Sequence, residues 1–295
     1  MGFRTDLAME AAQSMGAQLP TGVSQRDKKS GKLQINTVEI TGAEGAKAIG
    51  KPEGTYVTVS MPPLYSAVSL EEEEIDAIAQ EIAAMLPAEG LVLIVGLGNN
   101  DITPDAVGPR AVHQVLATRH ISGSLAESSG LGALRAAAAL TPGVLGQTGI
   151  ETSEIIRSVA DDIRPAAIIV IDALAARSTA RLGSTIQIAN TGISPGSGVM
   201  NKRKELSQET LGVPVVSVGV PTVVDAATLV GDLIGGDEED SDKCREMFEP
   251  QGRSMMITPR EVDVLIGHAS RVLALSVNRA LHPTLSMEDI GYLMS

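Results

Sequence analysis

Three uninterrupted apolar runs punctuate the chain: LVLIV at 91–95, AAIIVI at 166–171 and VPVVSV at 213–218. A strand that reads apolar at every position is buried on both faces, the habit of parallel strands covered by helices. Two earlier stretches, LQINTVEI from residue 33 and TYVTVSM from residue 55, alternate apolar and polar positions instead. That period of two predicts half-buried strands in a hairpin-like pair, ended by Pro62 and Pro63.

Between the runs the period lengthens to that of a helix. Ser69 and Glu72 form a capping-box pattern, after which Ile75, Ile78, Ile82 and Met85 share one face until Pro87 stops the turn. TSEIIRSVADDI at 152–163 reads as a second helix with a capping box at Ser153, and a long one runs from about Pro259 through VDVLIGHASRVLALSVNRAL. Strand–helix–strand alternation predicts an α/β protein with a mainly parallel central sheet and helices on both faces. The first thirty or so residues are small and polar and predict a loose peripheral arm.

Composition narrows the picture. A chain of 295 residues can bury one large domain, and 43% hydrophobic residues with only 2% aromatics imply a core of Ala, Val, Ile, Leu and Met. A formal charge of -13 argues against direct nucleic-acid binding, which needs clustered cations. The short basic groups, Arg26 with Lys28 and Lys29 and Lys202 to Lys204, read as solvated surface. Cys244 is the single cysteine, so no intrachain disulfide forms and a reducing cytoplasm is expected. Its acidic surroundings, GGDEEDSDKC, raise a thiol's pKa and make it a poor nucleophile. Residues 235 to 242 predict an exposed acidic loop without a calcium-loop pattern. The start of the chain has no signal-like apolar stretch and no run is long enough to span a bilayer, so a soluble intracellular protein with no membrane partner is expected.

The chemistry concentrates after the first apolar run, in GLGNNDITPDAVGP at 96–109. In parallel sheets functional groups gather at the carboxyl ends of strands. Asp105 stands there after LVLIV, and Asp172 stands there after AAIIVI. One such carboxylate is as readily a helix cap as a catalyst, but two shift the balance toward catalysis. A phosphate cradle fits poorly, because Asp101 would repel a pyrophosphate. GISPG at 192–196 matches the serine-hydrolase elbow, yet Pro195 has no N–H to donate to an oxyanion. Glu71 to Glu74 complement a helix dipole rather than hold a metal. His113, His120, His268 and His282 lack ligand spacing, and neither a metal nor another cofactor is expected.

Several long motifs in order are more specific than any of these patterns. GLGNNDITPDAVGP, LTPGVLGQTGIETSEII, IDALAARS, TIQIANTGISPGSGVMNKRKE, GVPVVSVGVPTVVDA and TPREVD together resemble the germination proteases of spore-forming bacteria, over most of the chain. The resemblance implies an atypical aspartic endopeptidase that degrades small acid-soluble spore proteins at germination. It implies a zymogen in the spore core, a homotetramer, and a phosphorylase/hydrolase-like fold as in the hydrogenase-maturation peptidases. Its two proposed catalytic aspartates fall on Asp105, in TPDA, and Asp172, in IDALAARS. The stretch RTDLAME resembles the family's cleavage sequence, which implies a cut between Asp6 and Leu7, a propeptide of residues 1–6 and a single peptidase domain over 7–295. The chain departs from the family pattern at Asn100, where an aromatic is expected, and at Asp101, where an uncharged Asn is usual. Asp101 is therefore a third carboxylate and a candidate modulator. Two alternatives stand beside this reading: a metal-dependent maturation-type peptidase with the same carboxylates as ligands, and a catalytically idle relative that binds spore proteins.

Overall fold

The computed structural model describes residues 5–13, 19–66, 70–121, 134–196, 204–233 and 255–294. In chain order its strands are β1 (Val23–Ser30), β2 (Leu33–Ile40), β3 (Gly54–Ser60), β4 (Val92–Gly96), β5 (Ala137–Leu140), β6 (Ala167–Ala176), β7 (Thr185–Ala189), β8 (Val215–Asp225) and β9 (Met256–Ile257). The helices are α1 (Ala8–Gln13), α2 (Gly42–Ile49), α3 (Glu72–Ala83), α4 (Val107–Val112), α5 (Leu145–Thr148), α6 (Thr152–Ile163), α7 (Gln208–Leu211), α8 (Ala226–Leu233), α9 (Val262–Leu281) and α10 (Met287–Leu293).

The strands make one sheet in the order β1-β2-β3-β7-β8-β6-β4-β5, with β9 added to β8. The three apolar runs supply β4, β6 and β8, which with β5 form a parallel core. From β8 outward, β7, β3, β2 and β1 continue the sheet as an antiparallel wing. The α/β class expected from the strand–helix alternation is the one observed.

Helices cover both faces. On one, α3, α4 and α9 place Ile75, Ile78, Val107, Leu265 and Leu273 over Ile94, Ile169, Ile171, Val216 and Val218. On the other, Ile156 and Ala160 of α6 pack on Leu93, Val95, Ile168 and Val170. Each fully buried aliphatic side chain contributes roughly 1.5–3 kcal/mol. That supports a core built almost without aromatics.

Several expectations need correction. The alternating segments are indeed antiparallel neighbours, with Ile35 opposite Val59, but α2 connects them. The hairpin is β1–β2, and β1 is the charged stretch VSQRDKKS, an edge strand exposed along most of its length. Its charges hide its pairing in the sequence: Asn36 Nδ2 donates to Asp27 Oδ1 at 2.7 Å, and Lys28 pairs with Glu81. Nor are residues 5–13 of the N-terminal arm loose, since Leu7 and Ala8 are completely buried. Helix α3 begins at Glu72 and its N-cap is Glu71, so Glu72 is not the third helical residue; Ser69 lies outside the described residues. Instead the buried Glu74 carboxylate accepts the N–H of Glu71 and that of Lys32, both at 2.9 Å. In α6 the cap position is Glu151 rather than Ser153. Lys204 pairs with Glu154 at 3.7 Å, whereas Lys202, residues 235–242 and Cys244 lie outside the described residues.

Candidate active site

Strands β4 and β6 are parallel neighbours, so the chain leaves both at the same sheet edge. The Leu97 N–H extends their ladder by bonding the Ile171 carbonyl at 2.8 Å. Gly98 then turns with φ +115°, where an added Cβ would lie 2.0 Å from the Asp105 carbonyl oxygen. Only glycine fits a turn that folds so tightly on itself. Thr103–Asp105 form a single 3-10 turn, and α4 starts two residues later. At Gly108 a Cβ would meet the carbonyl oxygens of Leu97 and Ile171 at 2.2 and 2.4 Å, so α4 sits directly on the strand ends. The glycines of the loop thus serve close backbone packing, not phosphate binding. Asp105 Oδ2 accepts the Asn99 N–H at 2.7 Å, and Thr222 on β8 donates to the Pro104 carbonyl at 2.8 Å.

Asp172 is an internal residue of β6, opposite Gly219 of β8. Strand alternation puts it on the face of Ile168, Val170 and Leu174, and its exposure is only 6%. Asp105 and Asp172 line one cavity of about 530 Å³. Burial pushes the Asp172 carboxyl well above the usual carboxylate range, and the charges of Asp105 and Asp6 push it further. The Ala173 N–H, 2.9 Å from Asp172 Oδ1, opposes the rise. Burial also raises Asp105, against the bond from Asn99. With one carboxylate deeply buried and the charge of the other working against it, the proton is favoured on the buried Asp172.

Two further carboxylates line the cavity, Asp6 and Glu151, and Asp6 is tied to β6. Its N–H donates to the Ala175 carbonyl and its Oδ2 accepts the Ala175 N–H, both at 2.9 Å. Leu7 fills an apolar box made by Leu174, Ala176, Leu182 and Val224. The Gln187 side chain reaches from β7, its Nε2 donating to the Asp6 carbonyl at 2.8 Å and its Oε1 accepting the Ala8 N–H at 2.6 Å. Glu10, 7% exposed, accepts the N–H groups of Arg177 and Ser178 at 2.9 and 3.1 Å and the hydroxyl of Thr5. Burial lowers the Lys51 ammonium, while Asp6 and Glu10 raise it.

Asp101 takes no part in lining the cavity. It is exposed, its N–H donates to Asn99 Oδ1 at 3.0 Å, and its carboxylate accepts from Gln147 Nε2 at 3.0 Å. Asn100 accepts from Arg110 Nε at 3.5 Å. Ser194 and Pro195 of GISPG line the cavity, but a bridge from Ile193 to Leu206 and a turn replace the strand-to-helix elbow that a nucleophilic serine requires. None of the four histidines lines the cavity; His268 Nδ1 lies 2.6 Å from the Leu64 carbonyl and His282 is buried. Among the described residues, no three His, Cys, Asp or Glu side chains converge as a metal-binding group, and no helix is long and apolar enough to cross a membrane.

The sequence patterns did not single out Gln187, which holds the arm beside the cavity. The signal for Gln187 was its place as the one amide in the apolar run TIQIA, since a buried polar side chain in a strand needs partners.

Comparison with known proteins is consistent over the whole chain. A family model described as germination protease matches residues 5–236 and 230–294. The germination protease of Caldanaerobacter subterraneus subsp. tengcongensis is 40% identical, covering 100% of this chain and 98% of that protein. The germination protease of Clostridium acetobutylicum is 41% identical, covering 98% of each, and that of Bacillus subtilis is 38% identical, covering 98% of this chain and 96% of its own. Among solved structures, a NiFe hydrogenase maturation protease from Thermococcus kodakarensis aligns with a TM-score of 0.33 at 14% identity, over 65% of this chain and 98% of that one. With relatives this similar along their full lengths, the chain belongs to the germination protease family of peptidases.

Proposed function

We propose that this chain is an aspartic-type endopeptidase of the germinating spore, acting on small acid-soluble spore proteins. The observation that carries the reading is the pair Asp105 and Asp172 in one cleft, with the charge of the first raising the second. Asp105, the more exposed and held by an N–H that favours its anion, is the general base. It takes a proton from water, whose oxygen attacks the peptide carbonyl carbon. Protonated Asp172 hydrogen-bonds the carbonyl oxygen and stabilises the charge that develops there. Collapse of the tetrahedral intermediate breaks the C–N bond, and the leaving nitrogen takes the proton that Asp105 gained. One water is consumed, one acid and one amine are formed, and the dyad returns to its singly charged state.

A self-processing zymogen is supported by Asp6, on the acyl side of the Asp6–Leu7 bond, lining the same cleft. The product of that cut begins at Leu7 and loses residues 1–6. Assembly as a homotetramer in the spore core, without a metal, completes the proposal.

The test is to incubate purified chain with a small acid-soluble spore protein, with and without a chelator, and to read fragments and the new N-terminus by mass spectrometry. Chelator-insensitive fragments and an N-terminus at Leu7 are expected. Cleavage that stops with chelator supports the metal-dependent alternative, and no cleavage at all supports the idle binder. Activity with residues 1–6 still attached rules out the proposed processing step.

A further inference from the structure

We infer that the Gln187 side-chain amide is a backbone clamp that grips the substrate on both sides of the bond to be hydrolysed and donates to its carbonyl oxygen. The inference rests on the reading that Asp105 and Asp172 hydrolyse a peptide laid in this cleft.

The sheet register puts Gln187 where such a clamp must be. Gln187 on β7 pairs with Gly219 on β8, and Gly219 pairs with Asp172 on β6. Ile186 and Ile188 point into the opposite core, as do Ile169 and Ile171, so Gln187 and Asp172 share one face at one level. Gly219 between them carries no side chain. The Leu174 side chain of β6 leans over that gap, its Cγ 2.6 Å from where a Gly219 Cβ would stand, and forms one wall of the box that holds Leu7 of the N-terminal segment.

The bonding is specific to a peptide backbone. Nε2 meets the carbonyl of Asp6, the acyl side of the Asp6–Leu7 bond, and Oε1 meets the N–H of Ala8, one residue past that bond. The 2.8 Å approach of Nε2 is that of an oxyanion donor. A carbonyl oxygen has two lone pairs, so it accepts from Nε2 and from a protonated Asp172 together. Both hydrogen bonds of the amide go to the arm, and Gln187 is itself 8% exposed. A buried amide without partners is costly, so a departing arm leaves a polar pair that another extended peptide restores.

The experiment uses the full chain with the synthetic peptide RTDLAMEAAQSM, its own residues 4–15. Gln187→Glu keeps the shape and the acceptor but removes the donor, and Gln187→Met removes both. Thermal melts identify folded variants. The expected result for Gln187→Glu is kcat lower by about 10²–10³-fold with KM little changed. Gln187→Met lowers kcat similarly and also raises KM. A Gln187→Glu chain that keeps kcat within about twofold, or loses activity only through KM, overturns the inference, provided Asp172→Asn is inactive. Should Asp172→Asn cleave at the parental rate, or the parent fail to cleave, the reading of the dyad fails and hydrogen exchange at the Ala8 amide decides the clamp. Exchange faster by about tenfold or more in Gln187→Met supports it, and unchanged protection overturns it.

Discussion

The parallel core and the antiparallel wing share one sheet but differ in what covers them. Every residue of β4 is buried, whereas β1, at the far edge, is exposed along most of its length. In the core, helices close both faces, so a carboxylate such as Asp172 loses its water and its charge becomes expensive. In the wing, the face opposite α3 is closed by the N-terminal arm, with Ala8 and Ala12 packed on Val38, Ile40 and Tyr56. The site lies at the seam, where β8 is paired in parallel with β6 and antiparallel with β7. The core supplies the carboxylate Asp172, and the wing supplies Gln187, which holds the N-terminal arm.

The largest effect that separates the two belongs to the dyad. Asp105→Asn and Asp172→Asn are each expected to lower peptide cleavage by about 10²–10⁴-fold, measured as kcat on a spore-protein substrate. Cleavage rate measured against pH in the parent is expected to follow a bell, falling at low pH as Asp105 is protonated and at high pH as Asp172 loses its proton. On the alkaline side stability is expected to fall together with activity, while toward acid the two part. The native state holds a proton on Asp172 that the unfolded chain releases, so stability falls as pH rises from the ordinary aspartate range through the raised native value. Asp172→Asn removes that slope, and near neutral pH the variant is expected to melt above the parent.

Truncation of apolar side chains sharpens the contrast. Ile169→Ala in the core should cost about 2–5 kcal/mol of global stability, read from denaturant unfolding. Leu7→Ala removes an equally buried side chain, yet its loss should fall on arm docking, read as proteolytic sensitivity near residue 7 with little change in the global midpoint. If both variants shift the global midpoint equally, arm and core unfold as one unit.

Gly98→Ala tests the loop that joins core to site. The added Cβ collides with the Asp105 carbonyl, and a displacement of the carboxylate by about 1 Å costs about 10²-fold in kcat. Retained activity there would show that the loop yields without moving Asp105. The smallest effect is expected at the exposed edge, where Lys28→Ala should lose less than about 1 kcal/mol because its pair with Glu81 is solvent-screened.

This difference in burial also explains what was legible in the sequence. β4, β6 and β8 announced themselves as apolar runs because both faces are covered; Asp105 follows β4 as read, whereas Asp172 proves internal to β6, which continues past the apolar run to Ala176. β1 was hidden because an edge strand with exposed residues has no apolar period, and Ala137–Leu140 because alanines carry no strand signal. The arm read as loose because its anchors are few: Leu7 in one box, Glu10 on two N–H groups, and Gln187 far away in the chain. Contacts between residues 6 and 187 leave no local pattern. The long motifs carried the family, but only the register across β7, β8 and β6 brings Gln187 level with Asp172.

The docked arm has one more consequence, in terms of competition. A segment tethered to its own cleft occupies it at an effective concentration on the order of millimolar, whatever the concentration of protein. A free peptide using the same box for Leu7 and the same N–H groups for Glu10 must outcompete that local supply. Diluting the protein does not help it. Cutting the chain after Asp6 changes the contest by removing one end of the grip, including both bonds between Asp6 and Ala175, while Leu7 stays attached to α1. Under the proposed processing, release would then be graded rather than complete, set by the share that those severed contacts contribute to docking the arm.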